Sequence, residues 1–336
     1  MKNKRNTSSY YIDGILEGDK FVLSKAITLV ESSLKDDIQL SIRILRGVSS
    51  QAKSSKRIGI TGVPGVGKST FIESFGTYLI GQGKKIAVLA IDPSSNLSGG
   101  SILGDKTRMN SLSRNEQAFI RPSPTRNTLG GVTNHTRENI LLCEAAGYDT
   151  IIVETVGVGQ SETLVRGMVD FFLLLMLPGA GDDLQGIKKG IMEMADGILI
   201  NKADGQNLQK AKQAMTDYKN ALHLFSKASS GWSPQVKICS ALENTGIEQA
   251  WGMIADHHQL MSENGSLDKL RKEQNLAWFK EQIAHTLIGH IFANDENLRA
   301  RNQLEQEVLS GKLSPKEAIV QLTEQLFGQD SFKSQK

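Results

Sequence analysis

The sequence predicts an α/β fold: a doubly wound, mainly parallel sheet with helical extensions at both ends. Three observations predict it. Apolar runs without polar alternation recur from residue 57 to residue 238, with helix-like segments between them, as expected of strands buried on both faces. The stretch Gly62-Val63-Pro64-Gly65-Val66-Gly67-Lys68-Ser69, with Thr70 following, fits G-x-x-x-x-G-K-[ST] at every fixed position. Polar residues collect at the carboxyl ends of the apolar runs (Asp92, Glu154, Asn201, Ser240), where doubly wound folds bind their ligands.

Taken in order, residues 12–50 read as helix. Leu23, Ala26, Ile27 and Val30 share one face, and Ile38, Ile42 and Leu45 repeat the spacing, which predicts a helical layer packed on the main domain. Ser49 to Lys56 is polar and reads as a linker. Arg57–Thr61 is the first strand. Ile86–Ile91 follows and ends in Asp92; Ala118–Ile120 is a short strand; Thr150–Val153 ends in Glu154. Phe171–Leu177, Gly197–Ile200 and Val236–Ile238 complete the set, the last two ending in Asn201 and Cys239-Ser240. Beyond about residue 260 the pattern is helical only. Leu276, Phe279, Ile283, Leu287 and Ile291 form one stripe, and Ser314-Pro315-Lys316-Glu317 is a capping box with proline at the first helical position. The predicted organisation is a helical extension over 1–55, a P-loop domain over 56–258 and a helical extension over 259–336 that serves dimerisation. Packing of the stripe within one chain explains its pattern almost as well.

The 336 residues are 39% apolar, enough for a sizeable core, and the net charge of +3 argues for neither nucleic acid nor a membrane surface as partner. No apolar run reaches the length of a membrane span. Cys143 and Cys239 are too few for a disulfide framework or a cysteine-rich metal cluster, and they suit a reducing, cytoplasmic setting.

The glycine-rich stretch lies between strand and helix, the context that makes it a phosphate-binding loop and the fold a P-loop NTPase. Its glycines let backbone N–H groups face inward, and the helix N-terminus adds partial positive charge. Lys68 is then the residue that reaches the β- and γ-phosphates, and Ser69 a ligand of Mg²⁺. Asn201-Lys202-Ala203-Asp204 ends a strand. In an N-K-x-D element the carboxylate accepts from the ring N1–H and exocyclic amine of guanine, a donor pair that adenine lacks, so the expected nucleotide is GTP. Ser240-Ala241-Leu242 ends the next strand, where a backbone N–H can meet guanine O6.

Glu154-Thr155-Val156-Gly157 fills the place of D-x-x-G: the acid holds Mg²⁺, and the Gly157 N–H senses the γ-phosphate. Val158 stands where small G proteins carry the glutamine that orients the attacking water. Gln160 is a candidate substitute, and slow intrinsic hydrolysis is expected. Asp92 is a candidate Mg²⁺-shell or water-orienting group, and the loop after it adds Asp105 as another carboxylate; an N-cap or turn aspartate is the plain alternative for Asp92. Arg108, Arg121, Arg126 and Arg137 are four candidates for charge at the transition state. Asp182, Gln185 and Lys188 sit in a glycine-flanked segment that either carries chemistry or caps the next helix.

With these elements assembled, the chain resembles the methylmalonyl-CoA mutase-associated GTPases of the MeaB/ArgK type. The matching stretches are Gly62–Thr70, Ile91–Ser95, Gly99–Met109, Phe119–Pro122, Leu129–Gly131, Cys143–Asp149, Val153–Glu162, Gly181–Gly190, Asn201–Asp204 and Ser240–Leu242. Residues 99–109 and 181–190 are not general P-loop features, which makes the resemblance specific. It departs at Asn96-Leu97-Ser98 and Arg126-Asn127-Thr128, and the first eleven residues have no clear counterpart. The resemblance implies a homodimeric GTPase that binds an adenosylcobalamin-dependent acyl-CoA mutase and gates its cofactor loading, with no cobalamin bound directly. Carried over by position, Ser69, Asp92, Asp105 and Glu154 surround Mg²⁺, while Asn201, Lys202, Asp204 and Ala241 read guanine. The segment with Asp182, Gln185 and Lys188 becomes a switch that mutase contact reorders, bringing Lys188 to the nucleotide.

Three other readings compete. A metallochaperone-type GTPase needs clustered Cys or His; Cys143 and Cys239 lie apart in sequence, and His257-His258, His285 and His290 read as helix-surface histidines. A kinase or ATPase coupled to a transport protein conflicts with Asn201–Asp204. A nucleotide-stabilised scaffold predicts tight GTP binding without turnover.

Overall fold

The computed structural model describes residues 6–92, 109, 111–124, 131–155, 161–179, 189–222 and 230–328. The chain divides into two compact units, Met1–Gln274 and Asn275–Lys336.

The first unit is built on seven parallel strands: β1 (Lys56–Gly62), β2 (Ile86–Asp92), β3 (Ala118–Pro124), β4 (Thr150–Thr155), β5 (Phe171–Met176), β6 (Gly197–Ile200) and β7 (Gln235–Ile238). Their order is β3-β2-β4-β1-β5-β6-β7. All the pairings are parallel. The order reverses direction between β1 and its neighbours, so the crevice beyond the carboxyl end of β1 is the topological switch point. β4 and β5 are buried along their whole length, which is why their sequences carry no polar alternation. β3 runs four residues past the short apolar run that marks it in the sequence, because Arg121–Pro124 keep register with Leu89–Asp92.

Three helices, α1 (Ser8–Leu16), α2 (Lys20–Val30) and α3 (Lys35–Ser49), form the expected layer on one face. Leu23, Ala26, Ile27 and Val30 are buried as the spacing predicts, in one cluster with Phe119, Ile140 and Val153. α1 starts inside the polar lead: Thr7 caps it by accepting from Tyr10 N–H, a signal that hydrophobic periodicity does not carry. On α3 the expected face is corrected. Ile38 and Ile42 are exposed and Leu45 only partly buried, while Leu40, Ser41, Ile44 and Val48 face the core. Two apolar stripes share that helix at the same four-residue spacing, and the one that meets α1 and α5 (Gly131–Ala145) is buried. Arg121 extends from β3 to this layer and pairs with Glu31 at 2.5 Å.

The opposite face carries α4 (Lys68–Gly81), whose Phe71, Ile72, Phe75 and Leu79 are fully buried, and α9 (Ile247–Glu263). The remaining α-helices among the described residues of this unit are α6 (Ser161–Arg166), α7 (Lys189–Met194), α8 (Leu208–Leu222) and the first residues of α10 (Ser266–Phe292).

A polar network braces the base of the sheet, at the amino ends of the strands. Arg271 on α10 makes two bonds to the Asp170 carboxylate, at 2.8 and 2.7 Å, and the Arg57 N–H donates to the same group. Arg57 in turn grips Glu144 in a two-point pair. Arg166, which ends α6, makes a similar pair with Asp196. Burial pushes the Asp196 carboxyl up to about 6 even though Arg166 pulls it down.

The second unit holds the rest of α10, then α11 (Asp295–Leu309) and α12 (Pro315–Phe327). Ser314 and Glu317 form both halves of the expected capping box. Leu276, Phe279, Ile283 and Leu287 stand exposed on α10.

Candidate nucleotide-binding site

The Gly62–Thr70 stretch occupies the turn from β1 into α4, at the switch point. Gly65 and Gly67 have φ of 78° and 92°, a left-handed backbone that side chains resist. At Gly67 a Cβ would also stand 2.8 Å from Asn201 Nδ2, so close approach and backbone geometry both demand glycine there. Lys68, Ser69 and Thr70 form the first turn of α4. Lys68 Nζ folds back onto the loop and donates to Gly62 O at 2.8 Å and to Val63 O at 3.3 Å. These carbonyls hold the ammonium at the mouth of the loop. Burial lowers its pKa, while the carboxylates of Glu154 and then Glu162 oppose that shift.

The Asn201–Asp204 element fastens directly onto the loop. Asn201 Nδ2 donates to Val66 O at 2.9 Å, and Lys202 Nζ donates to Gly65 O at 2.8 Å. Lys202 takes a φ of 58° to do this, an uncommon conformation for a side-chain-bearing residue. Asn201 Oδ1 accepts from Ala241 N–H at 3.0 Å, so a single side chain, 2% exposed, joins three loops. Ser240 Oγ donates to Asp204 Oδ2 at 2.6 Å, and Ser240 Oγ itself accepts from Glu243 N–H. That bond fixes the rotamer of the Asp204 carboxylate. Ser74 on α4 closes the corner by donating to Ala241 O at 2.6 Å. Leu242 turns its side chain to solvent, 78% exposed. Its N–H has no partner among the described residues.

On the phosphate side, Glu154 and Thr155 close β4, and Thr155 Oγ1 donates to Thr61 Oγ1 at 2.8 Å. Asp92 closes β2, which lies next to β4 with Ala90 opposite Glu154. Ser69 and Glu154 are hard oxygen donors flanking the loop. Mg²⁺ takes one or two protein oxygens plus phosphates and water, so this donor set fits that ion. Among the described residues no group of three or more His, Cys, Asp or Glu converges on a metal position. Asp105, Gly157, Gln160, Asp182, Gln185 and Lys188 lie outside the described residues, as do Arg108 and Arg126.

Of the other arginines weighed for transition-state charge, Arg121 is committed to Glu31, and Arg137 donates to Gly167 O. The histidine reading is also corrected. His257 is 2% exposed, wedged edge-on between Phe171 and Trp232 with ring centroids 5.0 Å from each. Burial lowers its pKa to about 4. Cys143 and Cys239 are both buried, and burial pushes the Cys239 thiol up to about 12. These groups are packing elements.

Sequence reasoning missed the Thr61–Thr155 link and the grip of Ser240 on Asp204. Neither has a spacing signature, because each joins strand ends far apart in the chain. Glu162 carries a weak signal, an acid five residues after Gly157, but nothing in the sequence says that it is buried.

The family model described as "Methylmalonyl Co-A mutase-associated GTPase MeaB" matches residues 23–296. GTPase ArgK of Escherichia coli (strain K12) is 48% identical over 308 residues, covering 92% of this chain and 93% of that protein. The mitochondrial methylmalonic aciduria type A homolog of Mus musculus is 45% identical over 313 residues, covering 90% of this chain and 75% of that one. A crystal structure described as that of an LAO/AO transport system kinase aligns with a TM-score of 0.77 at 40% identity, covering 96% of this chain and 99% of that one. The chain belongs to the methylmalonyl-CoA mutase-associated GTPase family.

Proposed function

We propose that this chain hydrolyses GTP to gate the loading and protection of an adenosylcobalamin-dependent acyl-CoA mutase, with methylmalonyl-CoA mutase as its client. The family description, which names that mutase, supports the choice of client. The choice of nucleotide is carried by one observation: the Asp204 carboxylate is held by Ser240 beside a corner that Asn201 ties to the phosphate loop. Asp204 accepts from guanine N1–H and from the exocyclic amine, and the Leu242 N–H serves O6. Adenine would leave the carboxylate without its donors, at a cost of about 1–3 kcal/mol or more for a charged group.

On the phosphate side, the inward N–H groups of the loop cradle the phosphate oxygens. Lys68 leaves the carbonyls of Gly62 and Val63 for the β- and γ-phosphates. Ser69, Glu154, Asp92 and Asp105 would hold Mg²⁺, which would neutralise charge on the phosphate oxygens. With Val158 after Gly157, the site lacks a glutamine to orient water. Turnover is therefore slow alone and rises when the mutase reorders the Asp182–Lys188 segment and brings Lys188 to the nucleotide. The exposed stripe Leu276, Phe279, Ile283 and Leu287 supports a homodimer through α10. No helix among the described residues is long and apolar enough to cross a membrane. The proposed setting, the cytoplasm beside the client, rests on the two-cysteine composition.

The transport-kinase description of one solved relative favours a second reading, phosphoryl transfer to another protein. Single-turnover GTP hydrolysis with and without the cobalamin-loaded mutase separates the two. Stimulation by the mutase, lost in Lys188→Ala, supports the gate. Absence of stimulation, or transfer of label from GTP to a protein, rejects it.

A further inference from the structure

Glu162 is a buried acid with one carboxylate oxygen unpartnered among the described residues. It is 2% exposed, and its Oε2 is sealed from solvent with no hydrogen-bond partner among the described residues. A carboxylate oxygen in that state costs free energy unless a ligand satisfies it. Its location says which ligand. Val165, three residues on and so on the same face of α6, packs on β1 at Gly59, where a Cβ would lie 2.8 Å from Val165 Cγ1. Glu162 is one turn nearer the start of α6, the end that follows the carboxyl edge of β4. That edge holds Glu154, and the neighbouring edge of β1 holds Gly62, whose carbonyl anchors Lys68. Lys68 responds to the charge of both acids. Glu162 thus stands at the start of the helix packed on β4 and β1, close enough to Lys68 for its charge to act on the ammonium.

We propose that Glu162 is the acceptor that holds the attacking water for GTP hydrolysis, doing from α6 what the residue after Gly157 does not. This rests on the reading of the site as a GTP hydrolase. The water donates one hydrogen bond to Glu162 Oε2 and turns a lone pair to the γ-phosphorus. The new bond joins water oxygen to γ-phosphorus, and the bond from γ-phosphorus to the bridging oxygen breaks. That oxygen keeps the electron pair as GDP leaves, and the proton lost by water ends on the released phosphate. Lys68 and the cation offset the carboxylate's repulsion of the phosphate.

The test compares wild type with Glu162→Gln and Glu162→Asp. It reads single-turnover GTP hydrolysis, alone and with the mutase, together with affinities for a fluescent-labelled GDP and a non-hydrolysable GTP analogue, and thermal melting. Glu162→Gln should lower the hydrolysis rate about 100-fold, the lower end for loss of a positioned proton acceptor, with both affinities within about threefold of wild type. Glu162→Asp, which keeps the charge but withdraws it by one methylene, should lose rate by about 10-fold or more at unchanged affinity, and it carries the test where the Gln chain fails to fold. An unchanged rate in either folded variant overturns the proposal. So does a change in affinity as large as the change in rate, which would make Glu162 only a counter-charge for Lys68. A wild-type chain with no GTP turnover, even with the mutase, overturns the hydrolase reading and this proposal with it.

Discussion

Replacing Asn201 with alanine tests whether one side chain holds the nucleotide corner together. Asn201 is 2% exposed and gives its amide to Val66 O and its carbonyl to Ala241 N–H, at 2.9 and 3.0 Å. Val66 and Ala241 are themselves buried, so truncation strands a buried acceptor and a buried donor. Each stranded group costs about 1–3 kcal/mol, and water entering the vacated space recovers part of that, so the expected loss of unfolding free energy is about 3 kcal/mol. If the loop loses its anchor to the same degree, GDP affinity should fall by about 100-fold, at about 1.4 kcal/mol per decade. Urea unfolding of the nucleotide-free chain and titration with fluorescent GDP measure the two quantities. Asn201→Asp keeps the acceptor for Ala241 N–H but sets a carboxylate oxygen against Val66 O, so it should be no better than alanine. A loss below about 1 kcal/mol with GDP affinity within threefold would refute the claim that Asn201 couples base recognition to the phosphate loop.

Three further outcomes follow from the packing. Arg271→Ala leaves the Asp170 carboxylate, 2% exposed, with only the Arg57 N–H among the described residues, and should cost about 3 kcal/mol by urea unfolding, most of it recovered in the double variant Arg271→Met with Asp170→Asn. His257 has a pKa of about 4 in the folded chain against 6.5 for an ordinary histidine, so the unfolded chain binds more protons between those values. Its contribution to stability is therefore complete above pH 6.5 and lost as pH falls towards 4. Asp196, raised to about 6, acts in the opposite direction over much of that window, so the informative quantity is wild type minus His257→Phe. That difference should shift against wild type by about 3 kcal/mol between pH 7 and pH 4, and a flat difference would contradict the buried neutral ring. On the α10 stripe proposed above as a dimer face, Ile283→Glu with Leu287→Glu should leave melting unchanged and give a monomer in sedimentation equilibrium. A dimer that survives both charges would place the interface elsewhere.

The sequence made the parallel sheet legible because its inner strands β4, β5 and β6 are buried on both faces, and burial of that kind leaves an uninterrupted apolar run. Phe171–Met176 and Thr150–Thr155 show it plainly. The Gly62–Thr70 loop and the Asn201–Asp204 turn were equally legible as local elements, since left-handed backbone and close approach demand particular residues at fixed spacing. What stayed hidden was anything decided by which of two acceptable partners wins. On α3, Ile38 with Ile42 and Leu40 with Ile44 have the same period, and only contact with α1 and α5 selects the second pair. Arg121 could have served a transition state, but Glu31 on a helix 90 residues earlier claims it. His257 looks like a surface histidine until Trp232 and Phe171 close over it. Long-range side-chain pairs such as Thr61–Thr155 and Ser240–Asp204 have no local signature, because the sheet alone brings them together.

The most direct test of the central claim is competition for fluorescent GDP by GTP and by ATP, in the wild-type chain and in Asp204→Asn. GTP should displace the probe from wild type at least 1,000-fold more effectively than ATP, by roughly the discrimination expected where a site's buried polar groups lose their partners. Asp204→Asn should erase most of that preference while phosphate-loop binding persists. Equal displacement by ATP, or a preference untouched by Asp204→Asn, would contradict the assignment of the Asp204 corner to guanine.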